Sequence, residues 1–172
     1  MGRTARERWV ASRWALRGVL ARYLEQEPAA IELHRGKRGK PLLASPGTSL
    51  RFNLSHSDGL VVVALSKDLE VGVDVERIKP RRKLLSLAKR ALTPAEAARV
   101  EAAAPEDRLA VFHAAWARRE ATAKCFGVGL HTPLPSAATA VVDLDAWPGY
   151  AAAVAVAATT VPALRCFTLE PG

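Results

Sequence analysis

The sequence predicts an α+β fold, and three observations carry that expectation. Helical spacing of apolar residues opens the chain over Arg3 to Leu24 and returns in its middle, from Leu84 to Phe126. Strand-like patterns fill Leu50 to Glu76 between those helical regions, and strand-like runs return from Ala140 to Leu169. Helices and strands gathered into separate runs mark α+β architecture. A chain of 172 residues suffices for one domain or two small lobes with a real core.

In the opening helix, Trp9, Ala15, Leu16, Val19, Leu20, Tyr23 and Leu24 recur near helical spacing, with arginines between them. Glu27-Pro28 ends it. Ile31 to His34 reads as a short strand, and Arg35 to Pro41 as a basic turn region. Leu50, Phe52 and Leu54 alternate with polar residues, Leu60 to Leu65 is an apolar run, and Val71, Val73 and Val75 alternate with Gly72, Asp74 and Glu76. Paired as a meander, the first and third of these strands run the same way, which brings Ser55 and His56 to the end of the sheet that holds Asp74 and Glu76. Leu84 to Leu92 reads as a helix. Thr93-Pro94-Ala95-Glu96 starts the next, with Thr93 as N-cap, proline at the first position and glutamate at the third. Asp107 to Phe126 is the strongest helical pattern, closed by Gly127 and Gly129. Strands are expected at Ala140 to Leu144, Tyr150 to Ala158 and Leu164 to Leu169.

Hydrophobic residues make up 49% and charged residues 24% of the chain, as in globular proteins. The run Ala151 to Ala158 is far too short to cross a membrane, and the N-terminus has no apolar signal core, so a cytoplasmic protein is expected. Cys125 and Cys166 form neither a metal-ligand pattern nor a disulfide framework and read as buried thiols. A net charge of +8 favours an anionic partner without choosing among nucleic acid, acidic membrane, phosphorylated ligand and acidic protein.

Asp74 and Glu76 are two apart on a strand and share one face. A solvated polar face is the simpler account of the pair. A magnesium site is the sharper one, since magnesium takes one or two carboxylates and leaves its other positions to water and phosphates. Phe112, Trp116, Glu120 and Lys124 form one ridge at four-residue steps. Glu120 and Lys124 fit a surface ion pair. They also fit a metal ligand and a phosphate-binding cation, because the ridge starts with two aromatics and so faces a core or cleft. Asn53-Leu54-Ser55-His56-Ser57 sits at a strand end, and Lys40 in a basic loop. No triphosphate-cradling loop, dinucleotide fingerprint or nucleophile elbow is present.

In order, Gly39-Lys40-Pro41, Phe52-Asn53-Leu54-Ser55-His56-Ser57, Gly72-Val73-Asp74-Val75-Glu76 and Trp116-Ala117-Arg118-Arg119-Glu120-Ala121-Thr122-Ala123-Lys124 resemble the motifs of the surfactin-type 4′-phosphopantetheinyl transferases. The similarity runs from about Arg13 onward and extends more weakly through Leu87 to Glu96 and Tyr150 to Val156. It implies two similar α+β lobes related by a pseudo-twofold axis, residues 1–79 and 80–172, with coenzyme A in the cleft between them. The N-terminal lobe is expected in pared-down form, because the chain begins close to the first matching helix. The resemblance implies transfer of phosphopantetheine from coenzyme A to a serine of an apo carrier protein. Asp74, Glu76 and Glu120 match the magnesium ligands, with manganese as an alternative ion. Glu120 would take the serine proton and Lys124 would hold the pyrophosphate. Lys40, Ser55 and His56 match phosphate-holding residues, Gly39 and Pro41 line the adenine pocket, and Arg13 and Arg17 lie where the 3′-phosphate is bound. Arg119 stands where lysine is common, and Ala91-Leu92 replaces a pair that is often aromatic.

A nucleic-acid-binding protein would explain the charge alone, with aromatics at only 6% and no stacking platform. A magnesium enzyme acting on a phosphodiester would explain Asp74 and Glu76 but not four ordered motifs. A homologue that binds coenzyme A but has lost activity is the third alternative. The resulting expectation is a monomeric enzyme with an acidic carrier protein as partner, and with neither nucleic acid nor membrane. The docking face expected for that carrier is Arg81, Arg82, Lys83, Lys89 and Arg90, or, if docking is apolar, Leu84, Leu85 and Leu92.

Overall fold

A computed structural model describes residues 5–36, 40–44, 47–129, 132, 137–145 and 147–169. Gly39, the expected helix start at Arg3 and the side chain of Trp9 lie outside the described residues. The architecture is mixed α+β. Helix α1 (Ala5–Leu24) leads through a 3-10 turn (Pro28–Ala30) into a small pair, β1 (Leu33–Arg35) and β2 (Pro41–Leu43). Strands β3 (Leu50–Ser57) and β4 (Leu60–Lys67) form an antiparallel hairpin, with Leu50 opposite Lys67 and Ser57 opposite Leu60. After β5 (Val71–Arg77) come α2 (Leu84–Ala91), α3 (Pro94–Ala102) and α4 (Arg108–Phe126), then β6 (Ala140–Leu144) and β7 (Tyr150–Val156). Strand β7 sits between β5 and β6 and is antiparallel to both. Among the described residues, no helix is long and apolar enough to cross a membrane.

The three strands β3, β4 and β5 do not form the expected meander. Strand β5 does not form a ladder with β4. It runs beside β3 in the same direction, and side chains of β3 answer its amides. Asn53 Oδ1 accepts from Val73 N–H (3.0 Å), Ser55 Oγ from Val75 N–H (3.3 Å) and Ser57 Oγ from Arg77 N–H (3.0 Å). A seam of short polar side chains at every second residue replaces the backbone ladder. Ser55 and Asp74 nevertheless meet, because the shared strand direction survives the change of neighbour.

Leu16, Leu20 and Ala21 of α1 pack with Ile31 and Phe52, flanked by Leu50, Leu54, Val63 and Leu65 of the hairpin. Of the expected helical stripe, Tyr23 and Ala15 face solvent, and Ser12 is buried in their place. Phe112 and Ala115 of α4 pack with Ala88, Leu92 and Val100, so α2 and α3 cap one end of the long helix. Leu92 is thus buried and unavailable as an apolar docking residue, and Leu84 and Leu85 are drawn partly into the same cluster. Thr93 and Glu96 form the expected capping box, each side chain reaching the other's backbone N–H.

The centre of the molecule is built of small residues. Ala117, Ala121 and Cys125 of α4 lie on Ala153 and Ala155 of β7. Alanine is a poor strand former, but packing against a close helix overrides that preference. Gly72 completes the contact. A Cβ there would stand 2.1 Å from the Ala121 carbonyl oxygen and 2.3 Å from the Cys125 amide nitrogen. The Cys125 thiol donates to the Glu70 carbonyl, and burial pushes its pKa up to about 11, so it is inert.

The last expected strand is absent. Val161 to Leu169 has no regular structure and Leu164, Phe167 and Leu169 are exposed. Its alternation marks a segment able to be a strand, but no described strand edge pairs with it. Cys166 is exposed for the same reason, against the expectation of a buried thiol.

Gly72→Ala should lower the unfolding free energy by at least about 2 kcal/mol in urea titration, because the intruding methyl meets backbone rather than a movable side chain. His113 supplies a second test. It is fully buried, its Nδ1–H donates to the Leu109 carbonyl, and Nε2 has no partner among the described residues. Burial lowers its pKa from the usual 6.5. Below that value the unfolded chain takes a proton that the folded chain refuses, so this contribution is present above pH 6.5 and lost as pH falls, by up to about 1.4 kcal/mol per pH unit. His113→Leu should flatten the stability profile between pH 6.5 and 5.5 relative to wild type.

Candidate functional site

The polar faces of β3, β5 and α4 converge on one cleft of about 450 Å³. Gly72, Asp74 and Glu76 project from one face of β5 toward α4. Because Gly72 lets the helix backbone come so close at Ala121 and Cys125, Lys124, next to Cys125, reaches Asp74. Its Nζ stands 2.6 Å from Asp74 Oδ1 and 3.0 Å from Ser55 Oγ. Ser55 in turn donates to Asp74 Oδ1 at 2.9 Å. Asp74 is only 3% exposed, and its second oxygen, Oδ2, has no hydrogen-bond partner among the described residues.

Glu76 and Glu120 complete the acidic lining. Burial raises the pKa of both, and the Asp74 charge raises them further. Arg81 and Lys124 oppose the shift at Glu76, and Lys124 opposes it at Glu120. Three carboxylates crowded at reduced solvation call for cations.

The cations surround them. Lys40 reaches the C-terminal end of α4, donating to the carbonyls of Lys124 (3.1 Å) and Cys125 (3.4 Å), and pairs with Glu70 at 3.3 Å. A cation there opposes the negative end of the helix, where the Lys124 carbonyl also accepts from Gly127 N–H at 3.2 Å. Arg13, Pro41 and His56 line the same cleft. Burial lowers the Arg13 pKa, and Arg35 and Arg17 lower it further, as expected where positive charge is concentrated. Arg17 is not among the lining residues. Its guanidinium donates to the carbonyls of Pro28 and Ile31, tying α1 to the turn that follows. Arg119 lies beside Glu96 of α3, 3.7 Å away, rather than in the cleft.

Among the described residues, no group of three or more His, Cys, Asp or Glu side chains is gathered to hold an ion. The donor chemistry still fits one. Asp74 Oδ2 is buried and unanswered, and Glu76 and Glu120 face the same space. That set fits an ion which takes one or two carboxylates and fills its shell with water and ligand oxygens, as magnesium does, and not an all-protein cage. Sequence reasoning missed Asn53, whose amide lines the cleft and holds β5, and Glu70, which pairs with both Lys40 and Arg51 (3.2 Å). The signal for the first was present in the spacing Asn53, Ser55, Ser57. For Glu70, a lone acid in a turn, there was none.

Residues 70–164 match the family model of the 4′-phosphopantetheinyl transferase superfamily, and residues 3–68 that of the N-terminal region of a 4′-phosphopantetheinyl transferase. The chain is 41% identical over 138 residues to the 4′-phosphopantetheinyl transferase AcpT of Salmonella typhi, covering 77% of this chain and 68% of that protein. It is 35% identical over 127 residues to the 4′-phosphopantetheinyl transferase HetI of a Nostoc species, covering 73% of this chain and 54% of the relative. Against the L-aminoadipate-semialdehyde dehydrogenase-phosphopantetheinyl transferase of Rattus norvegicus, identity is 31% over 131 residues, covering 70% of this chain and 42% of the relative. The chain therefore spans from under half to about two thirds of the length of these relatives.

The electrostatics separate the carboxylates. Glu120→Gln should raise the melting temperature modestly in the presence of EDTA, because it removes a charge that the fold disfavours. Asp74→Ala should instead cost about 1–3 kcal/mol, since it strips partners from Ser55 and Lys124. Equal effects from the two variants in a thermal melt would contradict this assignment.

Proposed function

The chain belongs to the 4′-phosphopantetheinyl transferase superfamily, and on that premise we propose that it moves the phosphopantetheine arm of coenzyme A onto a serine hydroxyl of an apo carrier protein, in the manner of the surfactin-type enzymes. The observation that carries this reading is the convergence of Asp74, Glu76, Glu120, Lys124, Lys40, Ser55 and His56 on one cleft, from segments far apart in the chain. In this reading Asp74, Glu76 and Glu120 hold a magnesium ion, with manganese as an alternative. A bound ion neutralises pyrophosphate charge and favours attack at phosphorus.

The chain's own residues do the rest. Lys40, His56 and Lys124 hold the coenzyme A phosphates, and Arg13 is the candidate for the 3′-phosphate. Arg17 leaves that set, because its guanidinium is committed to Pro28 and Ile31. Gly39 and Pro41 are assigned to the adenine pocket. Glu120 takes the proton from the carrier serine. The serine oxygen bonds to the β-phosphorus, the bond from that phosphorus to the bridging oxygen breaks, and adenosine 3′,5′-bisphosphate departs against Lys124. Charge neutralisation and positioning lower the barrier in such a transfer. Ser55 serves as a positioning residue for Asp74 and Lys124.

We assign the protein to the cytoplasm as a monomer, with pseudo-twofold lobes that meet at this cleft. The lobes in this reading are residues 1–79 and 80–172, and the ladder of β5 with β7 ties the end of the first to the sheet of the second. The acidic carrier approaches over Arg81, Arg82, Lys83 and Arg90, which are exposed. Lys89 is also exposed but is paired with Glu101 at 3.1 Å.

Incubation with coenzyme A, magnesium and a panel of apo carriers should add the mass of one phosphopantetheine group and release the bisphosphate, and EDTA should stop it. No mass gain across a broad panel would remove the proposal. Lys40→Ala and His56→Ala should each raise the coenzyme A dissociation constant about tenfold in calorimetry. Reversal of Arg81 and Arg82 to glutamate should lower carrier efficiency and its salt dependence at saturating coenzyme A, because exposed charge steers encounter and is screened by salt.

A further inference from the structure

Lys124 is closer to a carboxylate than a phosphate-binding lysine needs to be. Its ammonium lies 2.6 Å from Asp74 Oδ1 and donates to Ser55 Oγ at 3.0 Å, on the carboxylate whose other oxygen is buried and unpartnered. Lys40, the other lysine of the cleft, is held elsewhere, on the last carbonyls of α4 and on Glu70. Lys124 is therefore the cation that answers Asp74.

We infer that Lys124 is a selectivity residue of the ion site, a resident counter-cation that keeps out a bare divalent ion and yields Asp74 only when a polyphosphate anion draws the ammonium away. The inference rests on the ion-site reading given above. Its physical basis is competition: an ion approaching Asp74 must displace the lysine or bind beside its positive charge, and either weakens binding. A pyrophosphate in the cleft gives the ammonium a new partner and removes the obstacle. Ser55 suits this exchange. Its hydroxyl donates to Asp74 Oδ1 and accepts from both Val75 N–H and Lys124, so it holds the carboxylate in place after the lysine leaves. Ion and anion then enter as coupled ligands, each raising affinity for the other by the same factor.

The test is direct binding of Mn²⁺ alone, followed by electron paramagnetic resonance of the free ion, with no coenzyme A or carrier present. Lys124→Met should bind Mn²⁺ at least tenfold more tightly than wild type. Lys124→Arg, which keeps the charge, should bind it as weakly as wild type, which separates charge from any disturbance of the fold. Asp74→Asn should abolish binding in the Lys124→Met background. Added inorganic pyrophosphate, corrected for the Mn²⁺ it chelates in solution, should tighten wild-type binding more than that of Lys124→Met. Equal or weaker Mn²⁺ binding by Lys124→Met, with sensitivity to Asp74→Asn retained, overturns the counter-cation role and leaves the ion site standing. Absence of Mn²⁺ binding in every chain, with and without pyrophosphate, overturns both.

Discussion

The approach of α4 to β5 is the constraint on which the site depends. Helix and strand backbones meet at Gly72, where no side chain fits between them, and the alanines of β7 extend that closeness. The consequence is positional. With the helix drawn in, its last turns carry Glu120 and Lys124 into the space that Asp74 and Glu76 face. A bulkier contact would move the helix outward, and the ion pair at 2.6 Å would open. The glycine of the segment Gly72 to Glu76 thus belongs to the same device as its acids.

Charge in the cleft is arranged around scarcity of solvent. Asp74 has its cation, whereas Glu76 and Glu120 have raised pKa values from burial and from the Asp74 charge. The positive side is spread among structural tasks. Lys40 caps the long helix and Arg17 fastens α1 to its turn. A net charge of +8 therefore overstates what is available to a ligand.

Much of this was legible in the sequence. The capping box at Thr93, the ridge from Phe112 to Lys124 and the shared face of Asp74 and Glu76 follow from local spacing, which the fold preserves. The failures are equally local in origin. Alternation in Leu164 to Leu169 signals strand capacity, but a strand also needs an edge to pair with, and that is a property of the whole fold. The meander failed because Ser55 and Ser57 read as the turn after a strand, whereas β3 runs on through Ser57 and its Asn53, Ser55 and Ser57 side chains bond toward β5. The family resemblance placed Arg13 and Arg17 together at the 3′-phosphate, yet of the two only Arg13 lines the cleft. The Arg17 guanidinium instead meets the carbonyls of Pro28 and Ile31, which no side-chain pattern announces.

The seam between β3 and β5 has a mechanical meaning. Three side-chain oxygens at alternate residues engage three amides at alternate residues. A slip by one residue would put Leu54, which has no acceptor, and the bulkier His56 in place of those oxygens. A slip by two, about 6.6 Å along the strands, would restore only two of the three bonds, because Arg51 or Gly59 would take the third place. Shear along the seam is therefore blocked. The two sheets are geared against sliding, and the ion pairs Arg51–Glu70 and Lys79–Asp58 tie the hairpin to β5 and its flanks at either end of the seam.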